Sequence, residues 1–416
     1  MFGKGSLIVA TGFSIVMGLY SGKMNRLTVT NSDHVNTGFM SSVVHEGAIS
    51  GMNYGINHIW ANLNNDSNFT IYMTPCTTTV TIRKTDDDTV IVKSISRGVI
   101  RDDEYWEENQ KYLPIIDSSF ATFTYNIPVS KWFYITNDNM GIYWTTGDTV
   151  WGPMHCNKTI HTNGAPVFYS KVTARLGITP PPNKNGSQAK YYGGWEIGIN
   201  STIPTDLSRI RNLATEANNG APNNTVCKYD SLLTLKFLNN GTVIRTVGYR
   251  PTDTVSVATI APTGILWCTK DIHISGILDG QLTMLSDDDI WIDDDFVYKD
   301  DPLAAGGSDD LCGLVSIDDV IIANNYANNH DVNLNACILA SSGSFTAEDY
   351  STRPIAGVLK VVGSLAQNTR GPVGTFSGNS INHGFSKRYY FDPKLSLTSP
   401  PNYPFIRSLR LSSWWE

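Results

Sequence analysis

The chain has 416 residues, which is enough for two or three domains or for one elongated repeat domain. Only 17% of the residues are charged, while Asn, Thr, Ser, Gly and aromatic residues are plentiful, and this composition favours an exposed β-rich protein over a cytosolic enzyme. The net charge of −7, without a run of basic residues, argues against nucleic-acid binding.

The N-terminal segment is apolar and has the pattern of a helix that packs closely against others. Residues 6–21 carry no charge and lie between Lys4 and Lys23. Small residues recur at every fourth position: Ala10, Ser14, Gly18 and Gly22. Because this spacing keeps small residues on one helix face, we expect a retained helix that sits in a membrane and then packs against copies of itself. A cleaved signal peptide over residues 1–22, or a simple anchor, is the alternative.

The helical pattern continues beyond this segment, and residues 1–63 are predicted as one long helical region. Weak helix formers near 28–38 predict an interruption there. A second stripe of small residues follows at Gly47, Gly51 and Gly55. We expect this stripe to form contacts between helices of neighbouring copies, so that Gly51→Leu blocks assembly. Packing against the protein's own sheet is the alternative.

From residue 69 the sequence alternates as β-strands do, and we predict a first β region over 64–150 and a second over 151–262. The second contains a segment rich in Pro, Asn and Gly, 177–225, which predicts a surface insertion. Two apolar segments, 231–238 and 242–249, flank an Asn-Asn-Gly turn and predict a hairpin.

A loose repeat follows residue 263. The hexads 271–276, 289–294 and 319–324 each consist of an acid, an alternating apolar pair and a polar turn, at spacings of 18 and 30 residues. Recurring hexads favour stacked coils over a β-sandwich. We therefore predict a β-solenoid over 263–399, followed by an aromatic tail over 400–416.

Acidic clusters in the repeat region are the best candidates for a metal site. The candidate ligands are Asp287, Asp289, Asp293 and Asp295. Calcium takes six to eight oxygen ligands, and solenoid turns can place carboxylates at neighbouring heights. Solvated turns that protect strand edges are the alternative. No cofactor other than this calcium ion is expected.

The C-terminus ends in two tryptophans, Trp414 and Trp415. A solenoid needs a cover over its last coil, so we expect these residues to cap the solenoid or to dock on a neighbouring subunit.

Other chemistry is weakly indicated. The six cysteines are an even number and allow disulfides, but their spacing assigns no pairs, and without a Cys-x-x-Cys pair a structural zinc site is not expected. The sequence contains no Gly-x-Ser-x-Gly, P-loop or dinucleotide-binding motif. We expect no enzyme activity; a glycosidase with paired carboxylates is the alternative.

The first 63 residues resemble the N-terminal region of type IV pilin-like proteins, especially minor pilins, in the stretch VVHEGAISGMNYGINHIW at 43–60. The rest is similar to a family of uncharacterised bacterial surface proteins that join such a helix to a β-helix. The similar stretches are 151–168, 289–301, 370–376, 386–393 and 413–416. One feature differs: pilins have a glutamate five residues after the processing point, where this chain has Gly5, Ile8 or Ala10, depending on the cleavage point.

The resemblance implies a mainly β fold with one long N-terminal α-helix and a β-rich head whose C-terminal part is a β-solenoid. It also implies a structural subunit of an extracellular bacterial filament, exported through the inner membrane. Such a subunit assembles with copies of itself through its helix and keeps the β head outside. The alternative is a membrane-anchored surface adhesin or carbohydrate-binding β-helix protein that binds surface glycans.

Overall fold

The computed structural model describes residues 4–61, 66–85, 89–101, 112–184, 186–217, 227–377 and 380–416. The chain forms two compact units: unit 1 consists of residues 1–126 and 407–416, and unit 2 consists of residues 127–406. The predicted fold class is confirmed, since the fold is mainly β with one long N-terminal helix and a β-rich head. The predicted limits after residues 150 and 262 both fall inside unit 2, and the finer division that they mark stays a prediction.

Helix α1 (Lys4–Ala61) runs without a break for 58 residues, a length of about 87 Å at the usual rise of about 1.5 Å per residue. The predicted interruption near 28–38 is wrong. The side-chain hydroxyls of Thr28 and Thr30 donate to the backbone oxygens of Met24 and Arg26, each at 2.9 Å, so these residues are satisfied within the helix. The segment also contains no proline that would break it.

Unit 1 contains a five-stranded sheet in the order β1-β2-β3-β4-β30. The strands are β1 (Ser67–Met73), β2 (Cys76–Lys84), β3 (Thr89–Arg101), β4 (Tyr112–Pro128) and, from the end of the chain, β30 (Phe405–Trp415). The pairs from β1 to β4 are antiparallel. The C-terminal part of α1 packs on this sheet through residues at helical spacing: Val44, Ala48, Met52 and Ile59, all buried.

Unit 2 begins with a 3₁₀ turn (Val129–Lys131) and ten short strands. The strands are β5 (Tyr134–Asp138), β6 (Trp144–Thr145), β7 (Thr149–Val150), β8 (Met154–Cys156), β9 (Thr159–Asn163), β10 (Val167–Phe168), β11 (Val172–Ala174), β12 (Gly177–Thr179), β13 (Lys190–Tyr191) and β14 (Trp195–Ile197). They pair in three parallel stacks: β5-β8-β11-β14, β7-β10-β13 and β6-β9-β12. Each coil of this first segment therefore has three sides.

The second segment of unit 2 continues the same construction. Its helices are α2 (Ser208–Ala217) and α3 (Val257–Ile260), and a 3₁₀ turn follows at Pro393–Ser396. Its strands are β15 (Lys228–Tyr229), β16 (Leu233–Leu238), β17 (Thr242–Val247), β18 (Asp253–Ser256), β19 (Ile265–Cys268), β20 (Ile272–Leu278), β21 (Gln281–Ser286), β22 (Ile290–Tyr298), β23 (Leu311–Ser316), β24 (Val320–Ile322), β25 (Val332–Ala340), β26 (Phe345–Ala347), β27 (Ile355–Thr369), β28 (Gly374–Ser377) and β29 (Ser380–Phe391). One side is the parallel stack β15-β19-β21-β23-β25-β27.

Two sequence patterns are confirmed by the pairing in this segment. The predicted hairpin is present, since β16 and β17 pair antiparallel around the Asn-Asn-Gly turn. The three hexads lie directly over one another: Ile272 pairs with Ile290 and Ile290 with Val320, at the spacings of 18 and 30 residues. The repeat is therefore a real unit of parallel stacking.

The coils do not stack in chain order. In β5, Tyr134 pairs with Met154 of the next coil and also with Leu365 of β27. The second segment therefore ends against the beginning of the first. In space, the coils run from β15 to β27 and then from β5 to β14, so the solenoid predicted over 263–399 is one part of a longer parallel stack.

The predicted surface insertion over 177–225 is corrected in its described part. It contributes the last coil of the first segment and then a connection that includes α2. This connection is buried through Ile203, Leu207, Ile210 and Ala214, which pack with residues of β5, β19, β21, β23, β25 and β27. The chain thus returns along the stack over a second apolar core, and residues 218–226 lie outside the described residues.

Candidate functional site

The glycine stripe Gly47, Gly51 and Gly55 faces the sheet of its own subunit. A Cβ at Gly51 would lie less than 3.0 Å from Ser94 Oγ and Thr78 Cγ2, and a Cβ at Gly55 would lie 2.7 Å from Val92 Cγ1. All three glycines are buried against β2 and β3. The expectation that they contact a neighbouring helix is therefore corrected, because the sheet already occupies this face.

The first stripe of small residues has different surroundings. A Cβ at Gly18 or Gly22 would meet nothing within 4 Å, and Ser14 is exposed. The side chain of Ala10 lies outside the described residues. Close packing of these residues against another helix stays a prediction.

The part of α1 between residues 11 and 39 is exposed over its whole surface, apart from the half-buried Asp33. Large apolar side chains there include Phe13, Ile15, Val16, Met17, Leu19, Tyr20, Met24, Leu27, Val29, Val35 and Phe39, of which Leu19 is 71% exposed. Apolar area of this extent marks an interaction surface.

Among the described residues, no helix combines the length and apolar character that a membrane crossing requires.

The four aspartates predicted as calcium ligands do not converge, and each has a separate partner. Asp287 accepts hydrogen bonds from Arg211 and from Trp267 Nε1 at 3.0 Å. Asp295 accepts from the backbone and side-chain nitrogens of Asn333, at 2.7 and 3.0 Å. The prediction that they form one site is therefore corrected.

The acid at the start of each hexad connects one coil to the next. The backbone N–H of Asp289 donates to Asp271 Oδ1 at 3.1 Å, and that of Asp319 donates to Asp289 Oδ1 at 2.9 Å. Ser344 N donates to Asp319 in the same way, at 2.6 Å. Carboxyl oxygens of Asp271, Asp288 and Asp289 lie within 4.8 Å of one another, a grouping that the sequence pattern did not indicate. The hydrogen bonds give these acids a structural role.

Asp293 pairs with His273, and this pair predicts an effect of pH on stability. His273 Nδ1 lies 2.9 Å from Asp293 Oδ1. Burial by itself would lower the pKa of His273, but the hydrogen bond to Asp293 and the charges of Asp293 and Asp271 outweigh burial and raise this pKa above 6.5. Because the pKa is higher in the folded state, the stabilisation is complete below the unfolded pKa and is lost as pH rises through the folded pKa.

We therefore expect the free energy of unfolding to fall as pH rises through this interval. The Asp293→Asn variant should lack this component of the pH dependence. Urea unfolding of both proteins, at pH values from about 5 to about 9, measures the difference. Parallel pH profiles for the two proteins would contradict the assignment.

Trp414 and Trp415 lie in β30, in the sheet of unit 1. Trp414 packs at the margin of the core between α1 and the sheet, while Ser119 Oγ donates to the backbone oxygen of Trp415 at 3.3 Å. The expectation that they cap the solenoid is corrected. Trp415 is 71% exposed, and docking of a neighbouring subunit on it stays a prediction.

All six cysteines are free and buried. Burial raises the pKa of Cys156 to about 11 and that of Cys268 to about 12, which keeps both thiols protonated and poorly reactive at neutral pH. The six cysteines therefore act as packing residues of the buried core.

No family model matches the chain, and no curated protein matches it. Among solved structures, it is similar to the crystal structure of the competence-associated pilin ComZ from Thermus thermophilus, with 11% identity and a TM-score of 0.31. The match covers 90% of this chain and 97% of that chain. A similarity at this TM-score does not establish a shared fold or a shared function.

Proposed function

We propose that this chain is a structural subunit of an extracellular bacterial filament, assembled through residues 11–39 of α1 with the β units outside. The observation that carries the proposal is the apolar surface of this exposed helical segment. At about 1.5 Å per residue it is about 44 Å long. Apolar residues surround the helix over residues 13–20, and a helix of this kind is normally buried on all sides, so the segment requires several partners.

The sequence of the segment favours copies of the same helix as these partners. Its first part, residues 11–22, carries no charge and has small residues at Ser14, Gly18 and Gly22 that permit close approach. Its second part carries Asp33 and several hydroxyl and amide side chains, which a surrounding of protein can satisfy and lipid tails cannot. We propose that the inner membrane holds the first part before assembly, and that the subunit has no catalytic activity and no cofactor.

The test compares two variants that each replace an exposed apolar or aromatic side chain by glutamate, one in α1 and one in unit 2. Leu19→Glu introduces a charge into the exposed part of α1, and Tyr249→Glu introduces one at a fully exposed position of unit 2. Filaments sheared from the native cell surface are counted by electron microscopy, and their subunits are identified by mass spectrometry. We expect Leu19→Glu to abolish filaments and Tyr249→Glu to leave them unchanged, with both proteins folded by circular dichroism.

Normal filaments from Leu19→Glu, or filaments that lack this chain, would contradict the proposal. A chain recovered only from the membrane fraction as a monomer would favour the surface adhesin.

One observation favours that second candidate, a carbohydrate-binding surface protein. Three exposed aromatic rings lie on successive coils, Trp151, Tyr169 and Tyr192. However, Trp151 and Tyr169 stack with centroids 3.7 Å apart, and Tyr169 and Tyr192 stack at 5.5 Å. Stacking covers part of each ring, while Trp151 remains 48% exposed and Tyr192 65% exposed. Glycan binding that Trp151→Ala removes would support the adhesin.

A further inference from the structure

A cavity of about 180 Å³ lies in unit 2, where the first coil of one segment meets the last coil of the other. Tyr134, Trp144 and Asp148 line it from the coil of β5 to β7, and Arg370, Lys387 and Tyr389 line it from the coil of β27 to β29. Two cations and one carboxylate thus share a small space with aromatic rings.

Arg370 is buried without a negative partner. It is 5% exposed, and its guanidinium carbon lies 4.1 Å from the centroid of the Trp144 ring. Nη1 donates to the backbone oxygen of Ile142 at 3.1 Å, and the described residues provide no carboxylate within ion-pair distance of this side chain. A buried guanidinium is costly unless it is paired, so its remaining donors require an acceptor.

Lys387 provides the second positive charge. Its Nζ lies 3.8 Å from Asp148 Oδ2, which is beyond hydrogen-bond distance, and 5.4 Å from the Trp144 centroid. Asp148 Oδ2 instead accepts from the backbone N–H of Thr145 at 2.9 Å. One carboxylate therefore faces two cations, which leaves the cavity with one uncompensated positive charge.

Burial and the nearby Arg370 lower the pKa of Lys387 to about 8, although Asp148 opposes this shift. The other titratable groups at the cavity are Tyr134, Tyr143, Tyr389 and Asp148. Burial raises the pKa of Tyr134 to about 12, and burial also raises that of Tyr389, so neither phenol ionises in the range where Lys387 loses its proton.

Apart from Gln367, Thr145 and Tyr143, the remaining lining is apolar or glycine and suits the body of a small organic molecule. Phe345, Leu365 and Val373 line it together with the Tyr389 ring. The combination of apolar walls with a few convergent polar groups is typical of small-molecule sites.

We propose that this cavity binds a small organic monocarboxylate, with its carboxylate between Arg370 and Lys387 and its apolar body against Phe345 and Tyr389. A guanidinium binds a carboxylate through two parallel hydrogen bonds, which matches the unpaired donors of Arg370. A single negative charge balances the cavity, whereas a dianion such as phosphate would place its second charge near Asp148. The proposal is independent of filament assembly.

The experiment uses the full chain in a mild detergent and three pairs of probes. Acetate, benzoate and phenylacetate are each compared with the matching neutral amide by isothermal titration calorimetry. We expect at least one carboxylate to bind about tenfold or more tightly than its amide, since a charge-assisted hydrogen bond contributes at least this factor. Arg370→Met should lose this difference, while Arg388→Met, at an exposed position of β29 next to Lys387, should keep it.

A measurement on the unaltered protein covers the case in which Arg370→Met does not fold. The affinity for the carboxylate should fall between about pH 7 and about pH 9, as Lys387 loses its proton, while the affinity for the amide stays constant. The proposal is overturned if no carboxylate binds better than its amide, or if the preference for the carboxylate does not change over this pH range. Equal protection against unfolding by chloride would show an inorganic anion site only.

Discussion

Gly51→Leu is expected to lower the free energy of unfolding of unit 1 by about 3 kcal/mol or more, the upper part of the range for overpacked cores. The Cβ alone would lie less than 3.0 Å from Ser94 Oγ and Thr78 Cγ2, and 3.2 Å from Val80 Cγ2. These atoms belong to two neighbouring strands of the sheet, so the side chain cannot avoid one by moving toward the other. We expect α1 to be pushed away from β2 and β3.

Gly22→Leu is the matched control, because a Cβ at Gly22 meets nothing within 4 Å. Both variants replace a helical glycine by the same side chain, so helix propensity changes equally. Hydrogen–deuterium exchange followed by mass spectrometry separates the two units. Faster exchange in β2 and β3 is expected in Gly51→Leu only. Equal exchange in both variants would contradict the helix–sheet contact.

This result would also change the interpretation of any assembly defect. The sequence alone predicts that Gly51→Leu blocks assembly through a contact between helices. Since Gly51 packs inside the subunit, a loss of filaments in this variant would follow from a damaged unit 1. Substitutions within residues 11–39 are therefore the ones that test assembly.

Arg353→Met is expected to destabilise unit 2 by about 3 kcal/mol, because a charged side chain with several buried hydrogen bonds is removed. Arg353 is 1% exposed, and its guanidinium lies 4.7 Å from the centroid of the Phe385 ring. Nη1 donates to the backbone oxygens of Ile322 and Glu348, at 3.4 and 3.3 Å. Nη2 donates to those of Ala323 and Asn328, at 3.4 and 3.1 Å. The side chain thus connects neighbouring coils through hydrogen bonds to their backbone oxygens.

Methionine fills a comparable volume but donates no hydrogen bond, so these buried oxygens lose a partner. Burial also lowers the pKa of Arg353, because removing the charged guanidinium from water has a cost. The hydrogen bonds are expected to exceed that cost. Arg250→Met, at an exposed position, is the control. Thermal unfolding of the two variants decides the balance: an unchanged or higher midpoint in Arg353→Met would show that the desolvation cost is larger.

Local patterns predicted the elements of this fold well. The hexads that begin at residues 271, 289 and 319 stack in register, because the same alternation places one face of each strand inward. The hairpin around Gly241 follows from its turn residues and lies where the sequence places it. The long helix was also evident from its period, although its continuity through Thr28 and Thr30 depends on hydroxyl groups that donate within the helix.

Long-range relations could not be predicted in the same way. The pairing of Tyr134 with Leu365 joins positions 231 residues apart (365 − 134), and no local signal marks it. The cavity depends on that pairing, since Asp148, Arg370 and Lys387 meet only because the last coil lies on the first. The Pro- and Asn-rich residues around α2 predict a surface insertion, so the sequence does not predict that the connection is buried.

The division of unit 1 between the two ends of the chain determines the order in which the protein can fold on the ribosome. The ends of unit 2 are adjacent, since Val129 N donates to the backbone oxygen of Pro404 at 3.0 Å. Strand β30 is synthesised only after the whole of unit 2. Until then, the nascent chain exposes one edge of β4, and an unpaired edge invites association with other chains. Rapid folding of unit 2 therefore shortens the time during which the edge of β4 is unpaired, because β30 follows unit 2 in the chain.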